Sequence, residues 1–410
     1  MFRQSPAFWA TWLYIFFEYV RPQMIYKWLD FAPWAKIFLF SAVTLTLLEG
    51  RIKFTTRALW IAVCIFTAVI VASSLTAQFP SYSWQNKDFW INWLLLMLIV
   101  GAGVRTRTEY LLHLLGFILW NLKMSQHGVQ GWFLSGFSFV SWGATGGPGW
   151  FHNSGEFGIE MCVFLPIVGY LTFGVWPYLS KNRKIVMLAI FASAMISIVA
   201  SSSRGALLGA VCVGAWVAWR SPYRVRAIAI IVPLLALTWI VLPEGNKARW
   251  RQAGDDPDSV RRLTYWTDGI EIAKDFPLLG IGYRNWIPYY RQNYNPEGEV
   301  PHNYLIEAAS ELGFTGLAVF VTMTGVFFWQ NARTRRKLAE DSRSPDRLLW
   351  AMTYGLDGAM IGFLSSGFFV TVLYYPFYWM NLALCMALAR VAHTLPPSRI
   401  PRRSTSIARV

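Results

Sequence analysis

The sequence has little charge and few cysteines, and these two shortages exclude several classes of protein. Charged residues make up 14% of the 410 residues, whereas apolar residues make up 55%. A soluble globular protein carries about 25% charged residues. The cysteines lie inside apolar stretches, and none stands at metal-ligand spacing from another: Cys64, Cys162, Cys212 and Cys385. We therefore expect no soluble multidomain protein, no disordered chain, no disulfide scaffold and no cysteine metal site.

Motifs for nucleotides and metals are also missing. The sequence contains no glycine-rich phosphate loop and no HExxH. The stretch Asp255–Asp258 formally contains a D-x-D, but its middle residue is a proline and no other candidate ligand is near. We interpret it as a turn in a loop. The sequence therefore predicts neither a metal ion nor a cofactor.

Long apolar segments are abundant, and a helix needs about 20 mostly apolar residues to cross a membrane. We find twelve candidate spans: 7–20, 31–49, 58–77, 89–104, 108–122, 157–178, 185–202, 205–219, 227–243, 303–330, 348–371 and 373–392. The sequence therefore predicts an all-α integral membrane protein with about 12 transmembrane helices. Residues 1–410 form a single integral domain, and one long, partly helical loop lies on the outer side.

The net charge is explained by membrane topology. Lysine and arginine number 37 against 22 acids, for a net charge of +15, which is a balance often seen in proteins that bind nucleic acid. If the N-terminus is cytoplasmic, most of these bases fall in alternate loops on the cytoplasmic side, as the positive-inside rule requires. We therefore predict that both termini are cytoplasmic, and we predict no nucleic acid partner.

Two predicted outer loops are long, at 123–156 and 244–302, and loops of that length are usually functional or disordered. The second has the spacing of a helix from Ser259 to Asp275, followed by a turn at Gly280 and Gly282. We therefore predict that 244–302 is an ordered catalytic loop.

Three arginines on the outer side run against the charge bias. Arg204 lies in the short serine-rich turn between two spans, where it either caps the first helix or binds phosphate together with hydroxyl and amide donors. Arg261 and Arg262 lie in the predicted loop helix, where they either form a solvated face or bind an anion. We interpret Arg204, Arg262 and Arg261 as candidate substrate-binding residues.

His302 directly precedes the tenth span. It either caps that helix or acts as a general base, because its ordinary pKa lies near neutral pH. His152, with Asn153 and Ser154, is a secondary candidate on the same side. Asp357 and Glu160 lie within predicted spans and would be central to a transporter. For Asp357, a structural hydrogen bond between helices is at least as good an explanation.

The stretch 259–318 resembles the O-antigen ligase and O-antigen polymerase superfamily of bacterial membrane glycosyltransferases, and it is closest to the ligases. The matching text is SVRRLTYWTDGIEIAKDFPLLGIGYRNW followed by PHNYLIEAASELGFTGL. The arginine, three residues and tryptophan of the family fit Arg262 and Trp266. The motif H-N-x-L with E-x-G-x-x-G fits His302, Asn303, Glu311 and the nearby glycines, and the turn SSSRG is similar to the arginine-bearing turn of the family.

This resemblance implies a metal-independent, inverting glycosyltransferase of the bacterial inner membrane with its active site at the periplasmic face. Its partners would be a glycan donor linked to undecaprenyl pyrophosphate, a lipid A–core acceptor and membrane lipids. Arg204 and Arg262 would bind the pyrophosphate, and His302 would be the catalytic base. The Arg261–Arg262 doublet leaves the register open, and we choose Arg262 because Trp266 is four residues away.

Three alternatives remain open at this stage. An O-antigen polymerase or a protein O-glycan ligase would share the same motifs. A transporter, which we favour less, would depend on Asp357 and Glu160. We prefer the ligase because one dominant outer loop precedes His302, whereas the other outer loop is shorter and rich in glycine.

Overall fold

The computed structural model describes residues 4–137, 143–221, 224–241, 257–340 and 346–395, together with positions 244, 247 and 251. This part of the chain is helical and contains no β-strand. Its α-helices are α1 (Pro6–Tyr19), α2 (Pro22–Ile25), α3 (Trp34–Leu48), α4 (Arg57–Leu75), α5 (Pro80–Gln85), α6 (Asp88–Leu96), α7 (Arg107–Leu134), α8 (Ser154–Val175), α9 (Lys181–Ala200), α10 (Arg204–Arg220), α11 (Arg224–Val241), α12 (Pro257–Asp275), α13 (Trp286–Asn293), α14 (Tyr304–Glu340), α15 (Arg347–Ser366) and α16 (Pro376–Thr394).

Each of the twelve predicted apolar segments overlaps a helix of the described residues, and the segment 89–104 comprises α6 and a π-helical turn at Met97–Gly101. Among the residues that the structure describes, four helical segments are long and apolar enough to cross a membrane: Arg57–Leu75, Ser154–Tyr178, Lys181–Ala200 and Tyr304–Ala339. The protein thus has the helical and apolar character of a multi-pass membrane protein. The crossing of all twelve helices stays a prediction.

Burial within the protein explains why some predicted spans are less apolar than others. Helix α16 is buried along nearly its whole length, although it contains Asn381 and Arg390. The Asn381 amide donates to the Leu356 carbonyl at 3.1 Å, and the Arg390 guanidinium donates to the Arg51 carbonyl at 2.8 Å. A helix surrounded by other helices can carry polar groups that find protein partners, so its hydropathy need not match that of a lipid-facing helix.

Helix α7 corrects the predicted boundary of the first outer loop. The hydropathy of the sequence ends this span at residue 122, whereas the helix continues to Leu134. Met124, Ser125, Gly128 and Trp132 continue the buried face of the helix. The Ser197 hydroxyl of α9 donates to the Ser125 carbonyl at 3.1 Å. Packing against α9 therefore extends the helix past the point where the sequence becomes polar.

The helices that surround the candidate site pack closely at glycines. Helices α8, α10 and α15 contact one another, and α14 packs against α4. A Cβ atom on Gly362 would lie 2.4 Å from the Cys162 carbonyl oxygen, and one on Gly209 would lie 2.7 Å from the Ser366 Cβ. These close approaches bring the N-terminal ends of α8 and α10 near the segment that joins α15 to α16.

The turn that follows α12 docks on the start of α14. The Ile281 N–H donates to the Ser310 carbonyl at 2.9 Å, and the Phe314 N–H donates to the Pro277 carbonyl at 2.8 Å. Helix α14 has a non-helical residue at Gly313, with φ 70° and ψ −180°. A Cβ there would lie 2.6 Å from the Leu278 backbone. The kink therefore makes room for the turn, and only glycine satisfies both the space and the positive φ.

Candidate active site

Arg204 begins α10, directly after the serine turn that follows α9. The N-cap of α10 is Ser203, whose hydroxyl accepts a hydrogen bond from the Ala206 N–H at 3.3 Å. Ser202 has a positive φ of 54°, so the chain reverses within a few residues. A guanidinium nitrogen of Arg204 donates to the Ser259 hydroxyl at 3.4 Å, and Ser259 belongs to α12. Arg204 is therefore directed toward the helix of the outer loop.

Arg261 and Arg262 are neighbours in sequence but have different surroundings. The Arg261 side chain is 51% exposed; it donates to Asp258 at 2.9 Å and lies 3.9 Å from Glu299. Arg262 is partly buried and lines a cavity described below. Adjacent residues point about 100° apart around a helix, so a doublet can place only one side chain on a given face. In this structure, the cavity face carries Arg262.

Trp266 explains the spacing of the arginine–tryptophan motif. It lies one helical turn after Arg262, and its indole N–H donates to the Pro301 carbonyl at 3.0 Å. Residues four apart share a face of a helix. The tryptophan therefore joins α12 to the residue that precedes His302, on the side where Arg262 lies.

The residue that caps α14 is Asn303, and the alternative in which His302 caps this helix is wrong. The Asn303 side-chain oxygen accepts hydrogen bonds from the N–H groups of Leu305 at 2.8 Å and Ile306 at 3.2 Å. His302 has a positive φ of 49°, and its own N–H donates to the Thr371 hydroxyl at 2.8 Å. The imidazole is thus not used for capping.

The environment of His302 favours its neutral form. Its side chain is 25% exposed, and its Nε2 atom lies 3.5 Å from a carboxylate oxygen of Glu299. Burial lowers the pKa of His302, and the positive charge of Arg262 lowers it further, against the opposing effect of Glu299. An imidazole with a lowered pKa is deprotonated at neutral pH, which is the state that a general base requires.

One cavity brings three of the four sequence-predicted residues together. Arg204, Arg262 and His302 line a cavity of about 580 Å³, whereas Arg261 does not. Its volume falls within the usual range of ligand pockets, about 300–1,000 Å³. The remaining lining residues are Asn153, Ser154, Gly155, Glu156, Ser202, Ser203, Gly205, Leu208, Ser259, Leu263, Trp266, Arg284, Val300, Phe369, Val370, Thr371 and Tyr375.

The glutamate of the E-x-G-x-x-G motif organises the outer turn beside this cavity. The Glu311 carboxylate accepts hydrogen bonds from the N–H groups of Arg284 at 2.9 Å and Trp286 at 3.2 Å, and from the Tyr374 hydroxyl at 3.2 Å. The Gly282 N–H donates to the Glu311 carbonyl at 3.1 Å. Glu311 therefore ties the turn after α12 both to α14 and to the segment before α16.

Sequence reasoning missed several polar residues of the cavity, among them Arg284, Glu156 and Tyr375. Arg284 lies within the quoted stretch GIGYRNW, so its charge and outer position were an available signal. Glu156 and Tyr375 lie at the ends of α8 and of the α15–α16 connection, and the Tyr375 hydroxyl donates to Glu156 at 2.8 Å. They are 219 residues apart in the chain, so no local pattern predicts this pair.

Among the secondary candidates, Asn153 and Ser154 line the cavity, whereas His152, Asp357 and Glu160 do not. His152 is exposed, and its Nδ1 atom lies 3.7 Å from Glu156. Asp357 forms an ion pair with Arg335 and accepts a hydrogen bond from the Asn331 amide at 2.9 Å. This bond joins α14 to α15, as expected for a structural role. Glu160 is fully buried in α8.

Groups of acidic, histidine and cysteine side chains suited to a metal ion do not occur within the described ranges. The predicted turn at Asp255 and Asp256 lies outside the residues that the structure describes. The absence of a metal requirement therefore stays a prediction.

Comparison with known proteins identifies the segment that contains the site. Residues 163–321 match the O-antigen ligase family. The resemblance derived from the motifs is confirmed. The matched O-antigen ligase segment includes α10, α12 and the start of α14, and so it includes Arg204, Arg262 and His302. No curated protein matches the chain.

Proposed function

We propose that this protein is a membrane glycosyltransferase of the O-antigen ligase type. The donor is a glycan on undecaprenyl pyrophosphate, and the acceptor is a hydroxyl of lipid A–core oligosaccharide. The main support for the proposal is that Arg204, Arg262 and His302 line one cavity of about 580 Å³. The family match over residues 163–321 supports the same reading at the level of the superfamily.

In the proposed reaction the arginines bind the leaving group and the histidine accepts the proton of the acceptor. The acceptor oxygen attacks the anomeric carbon of the donor sugar, and its proton passes to the neutral imidazole of His302. The bond from the anomeric carbon to the pyrophosphate oxygen breaks, and the pyrophosphate leaves with the bonding pair. Because the nucleophile enters opposite the leaving group, the configuration inverts.

The arginines suit a leaving group that carries phosphate charge. A guanidinium binds phosphate through two parallel N–H donors and remains protonated at any physiological pH. Ser202, Ser203 and Ser259 line the cavity beside Arg204 and Arg262, and hydroxyls add further donors to phosphate oxygens. These groups would stabilise the negative charge that develops on the pyrophosphate as its bond to the sugar breaks. No metal ion is needed in this scheme.

We further propose an orientation that follows from the charge bias. Both termini lie in the cytoplasm, and the cavity lies at the periplasmic face of the inner membrane. The N-terminal ends of α8 and α10 and the helix α12 would then face the periplasm, where flipped lipid-linked glycans are available. Labelling of single introduced cysteines from either side of the membrane tests this orientation, and modification of a cysteine at Lys274 from the cytoplasm would contradict it.

A purified-component assay tests the function and separates it from its closest alternatives. The full-length protein in lipid nanodiscs is given a lipid-linked glycan and either lipid A–core, a second lipid-linked repeat unit or an acceptor protein. We expect extension of lipid A–core. Extension only of the repeat unit would identify a polymerase, and extension only of protein would identify a protein O-glycan ligase. Failure to consume the donor with every acceptor would contradict glycosyl transfer.

A further inference from the structure

Arg284 is a third arginine in the cavity, and its guanidinium differs from the others in its contacts. It lies over the Phe89 ring, with 4.6 Å between the guanidinium carbon and the ring centroid. The one hydrogen bond that Arg284 makes to the described residues comes from its backbone N–H, which donates to Glu311 at 2.9 Å. Within the ranges that the structure describes, its side-chain N–H groups have no hydrogen bond or ion pair. A guanidinium offers five N–H donors, so several remain for a ligand.

A second arginine, Arg21, has a carboxylate partner in the same aromatic surroundings. Arg21 lies over the Trp150 ring at 5.0 Å and forms an ion pair with Glu18 at 3.2 Å. The Phe89 and Trp150 rings are themselves in contact, with centroids 5.7 Å apart. The two arginines thus sit on adjacent rings of one aromatic cluster, but a carboxylate pairs with only one of them.

Glu307 and Glu311 are buried carboxylates that accept hydrogen bonds from groups other than the Arg284 guanidinium. Glu311 accepts from the backbone and from Tyr374, as described above, and Glu307 accepts from the Leu373 N–H at 3.1 Å. Within the described ranges, neither carboxylate forms an ion pair with the Arg284 side chain, so both leave its N–H groups available for a ligand.

The backbone at Arg284 is held in an unusual conformation that fixes where the side chain points. Its φ is 60°, a left-handed value that costs an ordinary residue about 1–2 kcal/mol. The hydrogen bonds from Arg284 and Trp286 to Glu311 stabilise this conformation. The side chain is thereby directed into the cavity from a turn that is anchored on α14.

Ring contacts place Arg284 on the side of the cavity where Tyr375 lies. The Tyr375 ring contacts the Trp150 ring, with 5.0 Å between their centroids, and Trp150 contacts the Phe89 ring over which Arg284 lies. The His302 imidazole has different neighbours, because it lies 3.5 Å from the Glu299 carboxylate and beside the Tyr265 ring of α12. We call these two regions the Tyr375 side and the His302 side of the cavity.

We infer that Arg284 is an additional anion-binding residue of the cavity, which takes a phosphate or carboxylate group of a substrate on the Tyr375 side. This inference rests on the proposed function for the identity of the substrates. The anionic group comes either from the donor, as its pyrophosphate, or from the acceptor saccharide. In both cases the guanidinium supplies the charge-assisted hydrogen bonds that the protein itself leaves unmade.

Three variants of the full-length protein test the inference. Arg284→Lys keeps the positive charge beside Glu307 and Glu311 but loses the planar fork, and Arg284→Gln loses both. Lys274→Gln removes a positive charge from an exposed position at the end of α12 and serves as the matched control. Thermal unfolding of each variant reports whether the fold tolerates the change.

The first measurement uses inorganic pyrophosphate as the probe and needs no turnover. We expect pyrophosphate to raise the unfolding temperature of the wild-type protein and of Lys274→Gln. Both Arg284 variants should bind it roughly tenfold or more weakly, since charge-assisted hydrogen bonds are lost. Because this binding is independent of transfer, its result stands even if the proposed reaction fails.

The second measurement compares the KM for donor with the KM for acceptor in Arg284→Lys. A rise confined to the donor assigns the pyrophosphate as the bound group. A rise confined to the acceptor assigns an anionic group on that saccharide, and enzymatic removal of acceptor phosphate should then abolish the difference from wild type. The inference is overturned if Arg284→Lys binds pyrophosphate and both substrates like wild type while Arg284→Gln only loses stability, because Arg284 is then a countercharge alone.

Discussion

The neighbouring arginines Arg261 and Arg262 provide a matched pair for testing the candidate site. Both lie on α12, carry the same charge and can be exchanged for glutamine without disturbing the helix. Arg262 lines the cavity, whereas Arg261 is 51% exposed and pairs with Asp258 at 2.9 Å. If the cavity binds pyrophosphate, the two exchanges should differ greatly in their effect on transfer.

The size of the difference follows from the surroundings of each side chain. Hydrogen bonds between a guanidinium and a charged ligand contribute about 1.5–3 kcal/mol, so Arg262→Gln should lower kcat/KM for donor by roughly 10- to 150-fold. Loss of an exposed ion pair costs about 0.2–1 kcal/mol, so Arg261→Gln should change kcat/KM about fivefold or less.

The assay is donor consumption at limiting lipid-linked glycan, with purified full-length protein in lipid nanodiscs. Thermal unfolding of both variants is measured alongside, because a loss of fold would lower activity for an unrelated reason. Equal losses of kcat/KM in Arg261→Gln and Arg262→Gln would refute the assignment of the cavity face. So would a folded Arg262→Gln variant whose kcat/KM for donor stays within threefold of wild type.

Four further outcomes are expected. His302→Ala should abolish transfer and still bind the lipid-linked donor; near-normal transfer would exclude the base role. Burial and Arg262 lower the pKa of His302, so the acid limb of kcat/KM should lie below about pH 6.5. In Arg262→Gln this limb should move to higher pH, and an unmoved limb would argue against the effect of Arg262 on His302. Glu311→Ala leaves two backbone N–H groups without their acceptor, at about 1–3 kcal/mol each, and should unfold at lower temperature; an unchanged unfolding temperature would contradict its anchoring role. EDTA should leave transfer unchanged, and a loss restored by a divalent ion would establish a metal requirement.

The positions of the long helices were predictable because they depend on hydropathy averaged along the chain. Each of the twelve apolar segments overlaps a helix of the described residues, and the helical spacing in the outer loop predicts Ser259–Asp275 where the structure has Pro257–Asp275. The end of α7 was not predictable in this way. There, a polar stretch continues the helix to Leu134 because one of its faces is buried against α9.

The sequence predicted which residues are candidates for the site, but it did not predict how they are arranged in space. Arginines that are predicted on the outer side stand out against the charge bias, and a histidine before a helix is a candidate base. Sequence alone left open whether His302 caps α14, and the hydrogen bonds of Asn303 decide that it does not. The pair of Glu156 and Tyr375 joins distant parts of the chain, so no local spacing indicates it.

The sequence by itself determined that the chain is helical and apolar, and that it carries motifs that match the O-antigen ligase family at residues 163–321. These properties are sums or patterns over neighbouring residues. The spacing to Trp266 favoured Arg262 over Arg261, but only the tertiary structure shows a cavity that Arg262 lines and that Arg284 joins. The direction of a side chain depends on helix packing and on backbone contacts such as those of Glu311, which are made by residues far apart in sequence.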